Sequence, residues 1–376
     1  MHLAGYGGPY AGSFVPMLRG VMRAARERGW SCEAVFGSVA QDRGWLDELR
    51  DDGIPFRIAQ STSRAAVSSL VRDLLAESRE PTVLHTHFTT FDIAAAGAAA
   101  RHEATKVFWH VHTPHHGGLP MRARNRFKYT VLGRRVERIL CVSTDLVDVV
   151  AKRGAPLGRV EYLPNAVEVD RFPLASQAER EQARRELGLP PGPSVLVHFG
   201  WDWERKGGDV FCEAVARLRG SGREVVGLTV GSPDRAAQTA RRLGLAADVL
   251  RVQEARDDVR GFYCAADVFV ASSRAEGTPY SVLEAVSCGA AIVASEIPGH
   301  VEIGREVPGC RMIPLDDAAA AADAAAALLD RTAEQAGGDA RAGHEWVRRN
   351  RDLAAWTEAL MRRYEAAQAI HPARWV

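Results

Sequence analysis

Residues 264 to 300 read CAADVFVASSRAEGTPYSVLEAVSCGAAIVASEIPGH. The run Asp267-Val-Phe-Val-Ala271 is apolar and has the length of a buried strand. Ser272 to Gly277 is polar and closes on glycine, which marks a loop. Thr278 suits a helix N-cap. Pro279 suits the first helical position, where its missing N–H would find no partner anyway. The helix is expected to continue from Tyr280 to Cys288 and to stop at Gly289. Ala290 to Ala294 forms the next strand. Strand, loop, helix, strand is the repeating unit of a parallel α/β sheet.

Ligands of such sheets sit beyond the C-terminal ends of the strands. Here that position leads directly into a helix N-terminus, whose free N–H groups and positive dipole end favour an anion. Glu276 stands at the loop mouth. Glu284 lies about a turn and a half into the helix at ~3.6 residues per turn. A phosphate over the N-terminus would have a carboxylate on either side, each able to accept hydrogen bonds from hydroxyls. That is the plan of a nucleotide sugar. Two glutamates eight apart also occur by chance, so spacing alone does not choose.

The wider context does choose. Glu276-Gly-Thr-Pro-Tyr-Ser-Val-Leu-Glu284, after SSRA and before AVSCGAAIVAS, closely resembles the donor-site motif of GT4-type retaining glycosyltransferases. The resemblance implies the GT-B fold, two Rossmann-like α/β domains with parallel sheets facing a central cleft. It implies that Glu276 contacts the transferred sugar and Glu284 the ribose, and that Gly277, Thr278 and Tyr280 present N–H groups to the diphosphate, with Pro279 lining the same turn. The implied reaction moves a sugar from a nucleotide diphosphate sugar to a hydroxyl of a glycan, glycolipid or small glycoside. Residues 1–168 are expected to form the acceptor domain, joined by a terminal helix over about 355–376, and 169–354 the donor domain.

Upstream, Ser194 to Gly200 reads as a strand, followed by Trp201-Asp-Trp-Glu-Arg-Lys-Gly-Gly-Asp209. Alone, Arg205 and Lys206 are two bases in a turn. By resemblance the loop is the phosphate clamp, with Lys206 on the diphosphate. The arginine common directly after the glycine is here Trp201, which leaves Arg205 to supply the second charge. The β/α alternation continues to an alanine-rich helix over 317–329. Residues 332 to 342 read as a polar break, and His344 to Gln368 has helical spacing.

The first half opens with a short strand, His2 to Ala4, then a glycine-rich loop and a helix over about 14–28 with Leu18, Val21, Met22 and Ala25 at helical spacing. Gly5-x-Gly7 lacks the third glycine of a dinucleotide fingerprint. Gly7 and Gly8 are either a tight turn or a close approach to a ligand, and resemblance places them near the donor phosphates. Two strands, Thr82 to Phe88 and Lys106 to Thr113, end in alternating histidines: His85, His87, His110 and His112. Four histidines invite a metal reading, but no carboxylate or cysteine joins them at ligand spacing, so none is expected. Resemblance assigns a histidine near the transferred sugar; His112 fits best and His110 second. Residues 119–138 are dense in arginine. They form either a solvated helix face or a surface for anionic membrane, with Phe127, Val131, Leu132 and Val136 on the opposite side.

Composition sets outer bounds. The 376 residues allow two domains of ordinary size, each with its own core. The net charge of +1 demands neither nucleic acid nor membrane. Six scattered cysteines without a Cys-x-x-Cys pair fit reduced thiols in a cytoplasmic protein. The first residues are too short and glycine-rich for a signal peptide. The chain has no Asp-x-Asp, the usual metal-diphosphate motif of the other common glycosyltransferase fold, so metal-independent transfer and no cofactor are expected. A nucleotide-sugar epimerase or hydrolase, or a non-catalytic partner subunit, are the alternatives. A dehydrogenase fits less well, although Glu33 lies roughly where a ribose-binding acid would.

Overall fold

The computed structural model describes all residues except 9, 62, 79–80, 103, 114–118 and 370–376. The chain divides into two compact units, Met1–Asn165 with Leu353–Val376, and Ala166–Asp352.

The first unit is built on seven parallel strands: β1 (His2–Ala4), β2 (Ala34–Phe36), β3 (Phe56–Ile58), β4 (Thr82–His87), β5 (Thr105–Val111), β6 (Arg138–Cys141) and β7 (Val160–Tyr162). Their spatial order is 3-2-1-4-5-6-7. The direction of winding reverses between β1 and β4, so the loops after these strands flank the switch point where such sheets bind ligands. Leu3, Val35, Leu84, Trp109 and Ile139 are fully buried between helical layers. The helix Phe14–Glu27 buries Leu18, Val21, Met22 and Ala25, the stripe its spacing predicts. The helix Leu353–Ala369 packs against it. There Arg28 reaches both Glu358 and Glu365, while Tyr364 bonds His85.

The second unit has six parallel strands: β8 (Ser194–Phe199), β9 (Val225–Val230), β10 (Leu250–Gln253), β11 (Val268–Ala271), β12 (Ala291–Ser295) and β13 (Cys310–Ile313). Their order is 10-9-8-11-12-13. The switch point lies between β8 and β11, and the loops following these two strands are 200–207 and 272–277.

Several local expectations need correction. The helix after β11 begins at Tyr280, with Pro279 as an extended N-cap, so Thr278 lies one residue outside the cap. Residues 332–342 are not a break. Thr332 and Gln335 close a reciprocal capping box, and the helix Ala333–Asn350 runs through Gly337 and Gly338. The true break is at Arg351-Asp352, where the backbone instead pairs with Val167. The arginine-rich segment is a helix, Leu119–Thr130, then a 3-10 turn, Leu132–Arg135. Its buried side carries Asn125, Lys128, Tyr129 and Leu132, and Phe127 and Val131 face outward. Lys128 is the reason. It turns inward to a buried ion pair with Asp92, under the rings of Trp109 and Tyr129. Glu33 precedes β2, at the strand end away from the switch point, and is held by Arg57. It is not placed to bind a ribose. The expected extension of the last helix to residue 376 falls, from 370 on, outside the described residues.

Candidate donor site

The two switch-point loops of the second unit are laced together by backbone. Arg274 N–H donates to the Arg205 carbonyl at 2.7 Å. Ser272 Oγ donates to the carbonyls of Lys206 (3.1 Å) and Gly207 (2.8 Å). Gly207 has φ +68°, and a Cβ there would lie 2.1 Å from the Ser272 carbonyl oxygen. Only glycine permits both the left-handed turn and that approach. The turn ends the short helix Trp203–Lys206 and fixes where Arg205 and Lys206 point.

Both cations converge on one oxygen. Glu276 Oε1 accepts from Lys206 Nζ at 2.6 Å, Arg205 Nη1 at 3.0 Å and Ser273 Oγ at 3.0 Å. Burial by itself would raise the Glu276 pKa, but the charges of Lys206 and Arg205 hold it down to about 2. Arg205 is braced by Asp202 at 2.8 Å. Trp201, where arginine is common, is exposed, and the guanidinium of Arg205 lies 4.8 Å from its ring centroid. Glu284 is buried in the first turns of the following helix, and its Oε2 accepts from Tyr263 Oη at 2.5 Å. Gly277 is fixed from behind by Gly299, where a Cβ would overlap the Gly277 carbonyl oxygen at 1.6 Å. Thus Arg205, Lys206, Glu276, Gly277, Thr278, Pro279, Tyr280 and Glu284 gather at the β8/β11 switch point.

Sequence reading passed over His300. It is buried on the helix Pro298–Gly304, with Nδ1 near the Ser295 carbonyl oxygen at 3.0 Å. Its Nε2 has no partner. Burial lowers its pKa to about 4, against the pull of Glu276. The sequence carried only Pro298 as a helix start; the approach of Gly299 to Gly277 is a tertiary contact.

Gly7, Gly8 and His112 lie in the first unit. A Cβ on Gly7 would meet the Val39 side chain at 2.6 Å, and one on Gly8 the Tyr6 hydroxyl at 2.5 Å. Both glycines therefore answer to packing within the turn, and Trp45 Nε1 donates to the Gly8 carbonyl at 3.0 Å. His112 follows β5, buried and stacked on Phe88 at 4.5 Å. Phe88 and Thr89 both have positive φ, 59° and 64°. Such a conformation costs a non-glycine residue energy and is concentrated at functional sites. Parallel pairing sets Ala4 beside His87 and His87 beside His110. As a result His2, His85, His87, His110 and His112 form one buried cluster, linked by His2 Nδ1 to His87 Nε2 at 3.2 Å and His87 Nδ1 to His112 Nε2 at 3.1 Å. Burial drives all five pKa values down, that of His110 to about 3.

Known proteins match both halves of this architecture. Residues 18–171 match the family described as Glycosyltransferase Family 4, and residues 193–331 match Glycosyl transferases group 1. A D-inositol 3-phosphate glycosyltransferase 2 of Catenulispora acidiphila is 32% identical over 197 residues, 49% of this chain and 45% of that protein. The lipopolysaccharide core biosynthesis mannosyltransferase LpsB of Rhizobium meliloti is 31% identical over 201 residues, 49% of this chain and 57% of that protein. The chain spans about half the length of the curated relatives it matches. Among solved structures, Anabaena Alr3699/HepE in complex with UDP and glucose superposes with a TM-score of 0.81 at 16% identity, over 97% of this chain and 99% of that one. Sucrose-phosphate synthase from Thermosynechococcus elongatus gives 0.81 at 16%, over 98% and 99%. These superpositions define the fold as GT-B. The chain belongs to the GT4-type glycosyltransferases.

Proposed function

We propose that this protein transfers a sugar from a nucleoside diphosphate sugar to a hydroxyl, with retention at the anomeric carbon and without a metal ion. The observation that carries the reading is the convergence of Lys206 and Arg205 on Glu276 at the head of the helix Tyr280–Ser287. A leaving diphosphate gains negative charge as the anomeric C–O bond breaks. Preorganised cations and N–H groups aimed at that charge lower the barrier without reorganising. Lys206 and Arg205 do this from one side, and the N–H groups of Gly277, Thr278 and Tyr280 from the helix end. Glu276 keeps the two cations in place before the donor arrives, then accepts from sugar hydroxyls. Glu284 receives the ribose hydroxyls, with Tyr263 fixing its rotamer. For His112, Gly7 and Gly8 of the first unit, the reading rests on the resemblance alone, which assigns the histidine to the transferred sugar and the glycines to the donor phosphates.

The acceptor is a glycan, a glycolipid or a small glycoside, and the exposed side of 119–138 favours an acceptor at an anionic membrane. Leu119, Met121, Phe127 and Val131 are exposed there beside Arg122, Arg124, Arg126, Arg134 and Arg135. Apolar side chains among arginines suit the boundary between headgroups and acyl chains. Among the described residues no helix is long and apolar enough to cross a bilayer.

A thermal-shift panel of nucleotide sugars, followed by product analysis with candidate hydroxyl acceptors, tests the reading. A donor at 100 times its Kd stabilises by about 2.7 kcal/mol. The expected product is a new glycoside with the donor's configuration. Isomerised or free sugar alone would identify an epimerase or a hydrolase.

A further inference from the structure

We propose that His87, His110 and His112 form a binding site for a divalent transition-metal ion of the zinc type, separate from the diphosphate clamp. The ligand nitrogens of the three side chains lie within 4.8 Å of one another, and all three residues are buried. His87 Nδ1 and His112 Nε2 are 3.1 Å apart. Two imidazole nitrogens on one tetrahedral zinc, each at ~2.0–2.1 Å, stand about 3.3 Å apart. The pair therefore needs only a small spread to hold an ion.

His110 supplies the second observation. It is 1% exposed, and neither ring nitrogen has a hydrogen-bond partner. The Leu163 backbone gives it electrostatic support, without reaching hydrogen-bonding geometry. A buried polar ring with both nitrogens unsatisfied is costly. An ion shared with its neighbours removes that cost for the nitrogen that binds.

An outer shell is also present. A metal-bound histidine usually donates its other N–H to a fixed acceptor. With Nδ1 of His87 on the ion, its Nε2–H points at His2 Nδ1, 3.2 Å away. A second trio, His2, His85 and His87, is equally close. It shares His87, and His85 has one nitrogen bonded to Tyr364 and only Nε2 without a partner, against two on His110. The geometry favours the trio containing the unpartnered His110. Three histidines leave a fourth position for hydroxide or a small anion, which offsets part of the ion's charge. One consequence rests on the function proposed above: an ion that holds His112 withdraws it from the sugar, so occupancy slows transfer.

The test uses untagged, chelator-stripped full-length protein titrated with Co²⁺. The visible d–d band should rise to one equivalent and be displaced by Zn²⁺. H110A should weaken binding by more than about 100-fold, beyond what loss of an outer-shell partner costs. H85F should keep it. Circular dichroism of the ion-free variants checks folding, and H110Q replaces H110A if the latter unfolds. Absence of a band and of stoichiometric Zn²⁺ in the wild type overturns the proposal. A band lost in H85F and kept in H110A also overturns it, placing the ion on the other trio. Stoichiometric binding with undiminished transfer would uphold the site and refute the placement of His112 at the sugar.

Discussion

Lys206 Nζ donates to Glu276 Oε1 at 2.6 Å across 70 positions of chain. This bond joins the loop after β8 to the loop after β11, and Arg205 enters the same oxygen from a second side at 3.0 Å. Asp202 holds the far side of Arg205 at 2.8 Å, so the two cations are fixed in place by two carboxylates beside the loop that leads into the helix Tyr280–Ser287.

Glu276→Gln therefore separates chemistry from binding. The amide keeps the shape but loses the charge and one acceptor. Turnover should fall by about 10²–10³, comparable to the loss of one preorganised transition-state contact. Affinity for the bare nucleoside diphosphate, read by calorimetry, should persist, because the cations remain. Loss of nucleotide binding with normal turnover at saturation would contradict the assignment.

Stability should show two acid transitions. Buried histidines depressed in the fold, His110 to about 3 and His198 and His300 to about 4, bind protons in the unfolded chain first. Stability should thus begin to fall as pH drops below about 6.5. Glu276, held near 2, contributes fully above about 4.5 and is lost as pH falls through 2. Its share is on the order of 3 kcal/mol. Urea unfolding from pH 7 to 3 should show a slope that steepens below 4.5 in wild type and less so in Glu276→Gln. Identical slopes in the two proteins would contradict the coupling.

His112→Ala should lower turnover much more than nucleotide affinity, since the ring sits at the end of β5 rather than among the phosphate-directed groups. Steady-state kinetics and nucleotide titration together decide this. Nucleotide binding lost with turnover at saturation intact would show the ring misplaced.

Co-sedimentation with anionic vesicles checks the basic helix. Binding should be measurable, should fall with salt, and should drop when Phe127 and Val131 become serine. Equal negligible binding to neutral and anionic vesicles would leave a solvated surface.

Much of this was legible in the sequence. The stretch from Cys264 to His300 announced its strand, loop, helix and strand because its apolar runs and its glycine stops agree. Lys206 and Arg205 are singled out by the resemblance and not by the loop's own residues, and the structure brings both to Glu276. Other features were not legible for physical reasons. The helix Ala333–Asn350 looked like a break because Gly337 and Gly338 hide a capping box between Thr332 and Gln335. The outward turn of Phe127 and Val131 depends on Lys128 finding Asp92, 36 residues away. The histidine cluster depends on parallel register, which sets β1, β4 and β5 side by side and adds His2 to four residues that appear in the sequence as two separate pairs. Ligand spacing along the chain does not reveal that.

The central claim is that protein cations, not a metal, meet the leaving diphosphate. Lysine acts there as a point charge, which glutamine cannot imitate. The direct measurement is the initial rate of sugar transfer by wild type and Lys206→Gln, each with and without excess EDTA. The account predicts full wild-type activity in EDTA and, for Lys206→Gln, a loss equivalent to about 2.7–4 kcal/mol of transition-state stabilisation. Activity abolished by EDTA and restored by manganese, or a Lys206→Gln protein as fast as wild type, would contradict it.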